Sequence, residues 1–120
     1  MKTVEVTEPQ AIFVVAMREI LVARDIEFVI RDIWPNACIV VTRTLEEAFD
    51  ASPAGRIRAA FVQTDAANFV ASTLGRRVAA DGGRVVLAGK EKAHGLPEGW
   101  KALPFPFLDD DVQSLLADVP

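Results

Sequence analysis

AIFVVAMREILVARDIEFVIRDIWPNACIVV, residues 11–41, holds two uninterrupted apolar runs on either side of a stretch with helical periodicity. The first run, AIFVV (11–15), has no polar position to turn toward water, which marks a strand covered on both faces. Over residues 18–34 the apolar positions Val22, Ile26, Val29, Ile30 and Ile33 recur at helical spacing, and Pro35-Asn36 stops them. The second run, ACIVV (37–41), repeats the strand signature. Apolar strands alternating with amphipathic helices imply an α/β protein: a parallel sheet, helices on both faces, right-handed crossovers.

The same alternation continues toward the C-terminus. Thr44 reads as a helix N-cap, with Glu46 and Glu47 in a first turn where the helix dipole favours acids. That helix is short and ends near Ser52-Pro53. RAAFVQ (58–63) is a third strand. A helix over about 67–80 follows, with Phe69, Leu74 and Val78 as its inner face, closed by Asp81-Gly82-Gly83. RVVLAG (84–89) is a fourth strand. The next helix is reduced, because only the stretch around Glu91 to His94 can be helical before Gly95, Pro97 and Gly99 intervene. WKAL (100–103) is a short last strand, and PFPF leads into a final helix in which Asp109, Asp110 and Asp111 precede the stripe Val112, Leu115 and Leu116. Residues 1–10 are a polar extension, and 11–120 form one domain.

Bulk properties exclude several function classes. The chain has 120 residues, enough for one core, and a net charge of −4, which argues against a phosphate-neutralising nucleic-acid surface. Arg76, Arg77 and Arg84 form the one basic cluster, expected as a solvated helix end. The single cysteine, Cys38, lies in an apolar run and reads as a small buried hydrophobe. Residues 1–10, carrying Lys2, Glu5 and Glu8, do not resemble a signal peptide, and no apolar stretch approaches a membrane span of roughly 20 residues. A soluble protein of the reducing cytoplasm is expected. His94 has no triad partner at a recognisable spacing, Gly82-Gly83 is too small for a phosphate loop, and the three aspartates suit a helix N-terminus better than a metal. No catalytic residue, metal or cofactor is expected.

Two segments carry a family resemblance that covers about residues 11–119. AIFVVAMREILVARDIEFVIRDIWP (11–35) runs from first strand into first helix, and LPFPFLDDDVQSLLADV (103–119) keeps a Pro106-Phe107 signature before an acid-capped helix with paired leucines. Together they resemble the receiver domains of bacterial response regulators. The resemblance implies a flavodoxin-like fold with strand order 2-1-3-4-5 and a cis peptide at Phe105-Pro106.

It also implies a phosphorylation site, and the departures all fall on it. Ala16 and Met17 stand where the family's paired acids belong, Gln63 at the phospho-accepting aspartate, Ala88 at the Ser or Thr, and Phe105 at the lysine. Ala102 stands at the aromatic gate. A Gln63 amide is too weak a nucleophile to accept a phosphoryl group, and the side chains of Ala16 and Met17 offer Mg²⁺ no oxygen ligand. Ala16, Met17, Ala88 and Phe105 are expected to converge at the C-terminal ends of the strands and fill the crevice there. Burial of Met17 and Phe105 is expected to stabilise by roughly 1.5–3 kcal/mol each. Asp65, in the loop after the third strand, is the one acid that could replace the missing acceptor.

With the chemistry removed, surfaces remain. The resemblance implies partner contacts through the first helix and the loop after the fifth strand. Leu21 and Phe28 fall on a flank of the first helix that also carries Asp25 and Asp32, away from the apolar stripe. That flank either packs against the last helix or docks a protein. The candidate partner-binding residues are therefore Leu21, Asp25, Phe28, Pro106 and Phe107. The expected function is phosphorylation-independent, receiver-like protein–protein interaction in two-component-like signalling, with a histidine kinase or another regulator as partner. A homo-oligomer is possible in principle. The alternative is a small-molecule or ion sensor using the remodelled crevice, for which a deep apolar pocket beside Met17 and Phe105 is the expected feature.

Overall fold

The computed structural model describes residues 11–89, 96–117 and residue 119. The extension at 1–10 and the stretch around Glu91 to His94 lie outside them. The elements, in chain order, are β1 (Ala11–Ala16), α1 (Ile20–Ile33), β2 (Cys38–Thr42), α2 (Leu45–Ala51), β3 (Arg56–Val62), α3 (Ala66–Ala71), α4 (Thr73–Asp81), β4 (Arg84–Ala88), β5 (Lys101–Leu103) and α5 (Asp109–Leu116). The strands form one sheet in the order β2-β1-β3-β4-β5, every neighbouring pair parallel. This is the flavodoxin-like topology, and the Phe105-Pro106 peptide is cis. Between β4 and β5 the described residues form no helix.

Strand alternation sorts the apolar runs into two layers. Phe13, Val15, Met17, Phe61, Val86 and Ala88 point to the side covered by α1 and α5, where they meet Ala23, Ile26, Ile30, Val112 and Leu116. Ile12, Val14, Ala16, Ala60, Val62 and Leu87 point to the other side, against Ala48 of α2, Phe69 of α3 and Leu74 and Val78 of α4. A register shift between β1 and β3, where Ile12 pairs Ile57 but Phe13 pairs Ala59, steps over Arg58. The bulge therefore puts Ile57 and Ala60 on the same side, an odd spacing that a regular strand would split. Among the described residues no polar or charged one is buried.

Local chemistry sets the helix ends. Thr44 Oγ1 accepts from the Glu47 backbone N–H while the Glu47 carboxylate accepts from the Thr44 N–H, a reciprocal capping box at α2. Gly82, at φ 71°, ends α4 in the left-handed conformation glycine tolerates. At α5 the three aspartates form the first turn itself, and Asp111 accepts from the Leu108 N–H at 2.8 Å.

Four expectations need correction. The single helix over 67–80 is two helices, broken at Ser72. The Ser72 hydroxyl donates to the Phe69 carbonyl at 2.6 Å, ending α3, and accepts from the Gly75 N–H at 2.9 Å, starting α4. A serine side chain that competes with the backbone in this way breaks a periodic helix. Along α1, Ala23 takes a central buried place while Val22 is half-buried and Ile33 is exposed, since Trp34, tilted against Phe13 with ring centroids 5.4 Å apart, closes that helix end. Cys38 is only half-buried, because β2 is an edge strand with a neighbour on one side. Arg77 and Arg84 are not simply solvated: Arg77 donates to the carbonyls of Pro53 and Gly55, and Arg84 to that of Leu115.

Candidate functional site

Parallel strands place their C-terminal ends at one rim, where an open α/β sheet keeps its ligand crevice. Ala16, Met17, Gln63, Ala88 and Phe105 all come to this rim, Ala16 and Ala88 as last residues of β1 and β4 and the others just beyond β1, β3 and β5. Their side chains do not all converge. Consecutive residues point to opposite faces, so Ala16 joins the layer under α2, α3 and α4 while Met17 joins the layer under α1 and α5. Met17 and Ala88 are buried in that second layer, and Phe105 packs against it half-buried. The Phe105 ring lies over Gly89, whose φ of 86° is the left-handed conformation glycine tolerates; a Cβ there would meet the ring edge at about 3.5 Å, an ordinary contact. Phe107 tilts against Phe105 at 5.7 Å between ring centroids.

Gln63 is tied at both ends. Its side-chain oxygen accepts from the Arg18 backbone N–H at 2.9 Å, and its Nε2 donates to the Glu19 carboxylate at 2.9 Å. Only one amide orientation satisfies a donor on one side and a carboxylate on the other. The backbone adds the Gln63 N–H to Ala16 carbonyl bond at 3.0 Å and the Met17 N–H to Thr42 carbonyl bond at 3.0 Å. The β1–α1 loop is thus stapled to the ends of both flanking strands. Arg18 and Glu19 were not among the residues singled out from sequence. Their only signal was position, at the entry to α1 on the same rim as Gln63.

The crevice is not filled. A groove of about 420 Å³ remains, lined by Arg18, Gln63, Thr64, Asp65, Asn68, Ala88 and Gly89. Its walls are mostly polar and neither Met17 nor Phe105 lines it, so the rim differs from the apolar plug that the resemblance led us to expect. Nor is it the deep apolar pocket that a sensor reading called for. Asp65 lines the groove, but both its oxygens are engaged: Oδ1 accepts from the Asn68 N–H at 2.7 Å and Oδ2 from Asn68 Nδ2 at 3.0 Å, capping α3. Among the described residues no group of three His, Cys, Asp or Glu side chains is placed to hold a metal ion. Glu19, which does not line the groove, accepts from Gln63.

The candidate partner surface is arranged differently from the rim. Leu21 is 77% exposed and Phe28 73%, so α5 does not cover this flank of α1 even though the two helices pack side by side. Asp25 and Asp32 are exposed beside them. On the other flank Glu27 accepts from Arg24 and Arg31 at 2.8 Å each. Those two bonds, Arg31's foremost, hold the Glu27 carboxyl below its ordinary range against the opposing effect of partial burial. Pro106 is exposed, whereas Phe107 is half-buried against the α1/α5 layer. Compared with known proteins, the chain matches no family model, no curated protein and no solved structure.

Proposed function

We propose that this chain is a phosphorylation-independent, receiver-like protein that acts in bacterial, two-component-like signalling by docking to a protein, a histidine kinase or another regulator. The reading joins the family resemblance of segments 11–35 and 103–119 to the flavodoxin-like topology. The observation that carries it is the exposed pair Leu21 and Phe28 on a helix whose opposite face already buries Ala23, Ile26 and Ile30. Two large apolar side chains held in water on a well-packed helix are suited to burial by a partner. The rim supports the same view, since its amide and its carboxylates are spent on structural hydrogen bonds. A cytoplasmic setting belongs to the proposal.

Affinity capture from the source cells, without any phosphodonor, tests it. Wild-type bait should retain a partner that a Leu21→Glu bait loses, with both baits unfolding at similar temperatures. Retention unaffected by Leu21→Glu, or an aspartyl phosphate detected by mass spectrometry after acetyl phosphate treatment, overturns it.

A further inference from the structure

The exposed ridge of α1 is polarised across its width. At about 100° per residue, Phe28 lies within about 20° of Leu21, Asp25 and Asp32 lie about 20–40° to one side, and Arg24 and Arg31 about 60–80° to the other. The two aspartates make no ion pair or hydrogen bond among the described residues, as the three salt bridges involve other acids. The two arginines are held along the helix by their shared partner Glu27, their side chains 61% and 53% exposed. The ridge is therefore an apolar crest with a free acidic flank and a pre-ordered basic flank.

We propose that a second copy of the chain occupies this ridge, the two α1 helices running parallel about a two-fold axis along their length. This rests on the reading of α1 as a docking surface; the second copy is its occupant in the free protein, and a heterologous partner competes for the same ridge. A two-fold axis parallel to the helices sets the acidic flank of each copy against the basic flank of the other, at both edges of the contact. Asp25 is one residue from Arg24, and Asp32 one from Arg31, so each cross-pair is offset along the axis by only about 1.5 Å. Leu21 then meets the partner's Leu21, and Phe28 the partner's Phe28, at a self-complementary interface. The antiparallel arrangement fails on the same pattern, because its two-fold axis sets acid against acid and arginine against arginine. Since a single helix-to-helix contact is small, the dimer is expected to be concentration-dependent.

Sedimentation velocity over a concentration series should show wild-type chains passing from monomer to dimer. The double variants Asp25→Arg/Asp32→Arg and Arg24→Glu/Arg31→Glu each carry like charge on both flanks, so each alone should dimerise about tenfold or more weakly. An equimolar mixture of the two should recover a heterodimer. Circular dichroism of each variant separates lost pairing from lost folding. In a Cys38→Ala background, two Leu21→Cys copies should cross-link, as should two Phe28→Cys copies, while a Leu21→Cys copy should not cross-link to a Phe28→Cys copy. A wild type that stays monomeric, a mixture that does not recover, or cross-links confined to the mixed pair overturns the proposal. A monomer whose partner capture still depends on Leu21 overturns self-pairing alone. A dimer with the expected cross-links and no heterologous partner upholds it and overturns the kinase-or-regulator reading instead.

Discussion

Gln63 presents an acceptor and a donor on one planar group, and each meets a fixed partner contributed by the β1–α1 loop, 44 and 45 residues away in sequence. A carboxylate of the same size could keep the bond from the Arg18 N–H, but it would face Glu19 with like charge. Gln63→Glu should therefore cost about 1–2 kcal/mol at neutral pH, from one lost hydrogen bond plus the repulsion. Like-charge repulsion is relieved by protonation, so the deficit should shrink as pH falls through the carboxylate range. Urea denaturation of both proteins at neutral and acid pH measures this; a deficit that grows with acidity contradicts it. That Ala16, Met17, Gln63, Ala88 and Phe105 carry no carboxylate, hydroxyl or ammonium group was legible from sequence, since residue type alone shows it. What Gln63 does instead was not legible, because a side-chain amide carries no record of which distant group will satisfy it.

Among the elements, α3 and α4 show how one side chain divides a helix. Ser72 caps both, and the break brings Gly75 so close to the end of α3 that a Cβ there would stand 1.9 Å from the Phe69 carbonyl oxygen. Gly75→Ala would gain helix propensity in an isolated peptide, yet here the clash is with backbone that cannot swing aside. A loss of stability beyond about 1 kcal/mol is expected, the reverse of the propensity gain. Thermal unfolding of the variant decides between the two signs. α1 yields a second prediction. The Glu27 carboxyl is held below its unfolded range by Arg31 and Arg24, so its contribution to stability is present above the unfolded value and is lost as pH falls through the folded one. Glu27→Gln should thus be less stable than wild type at neutral pH, with the gap closing on acidification. Equal gaps at both pH values would show that the arginines do not favour the ionised form. The spacing itself held the sign of the break: at about 100° per residue Phe69 and Val78 lie about 180° apart on one continuous helix, yet both face the core.

For the whole molecule, the function proposed above entails indifference to Mg²⁺ and to phosphoryl analogues. No cluster of three acids suited to a metal is present among the described residues, the Asp65 carboxylate in the groove caps α3, and the Glu19 carboxylate accepts from Gln63. Millimolar Mg²⁺ should leave the unfolding midpoint unchanged, and beryllofluoride should leave the NMR spectrum unchanged. A midpoint that rises with Mg²⁺ would mean that the rim binds the ion after all. The function proposed for the ridge on α1 does not depend on such binding.

The sheet was determined by the sequence itself. Runs such as AIFVV and ACIVV have no face to give to water, and intervening stretches of helical period then require parallel crossovers with a helix layer on each side. Pattern and turn chemistry are local, so they survive reading in one dimension. Tertiary structure alone decided that Gln63 reaches Glu19, that Arg77 holds the α2–β3 connection, and that the Leu21–Phe28 flank stays in water instead of packing on α5. Each of these depends on which groups meet across long sequence separations. Hydrogen bonding and burial reward that proximity whatever the residue types adjoining each group in the chain.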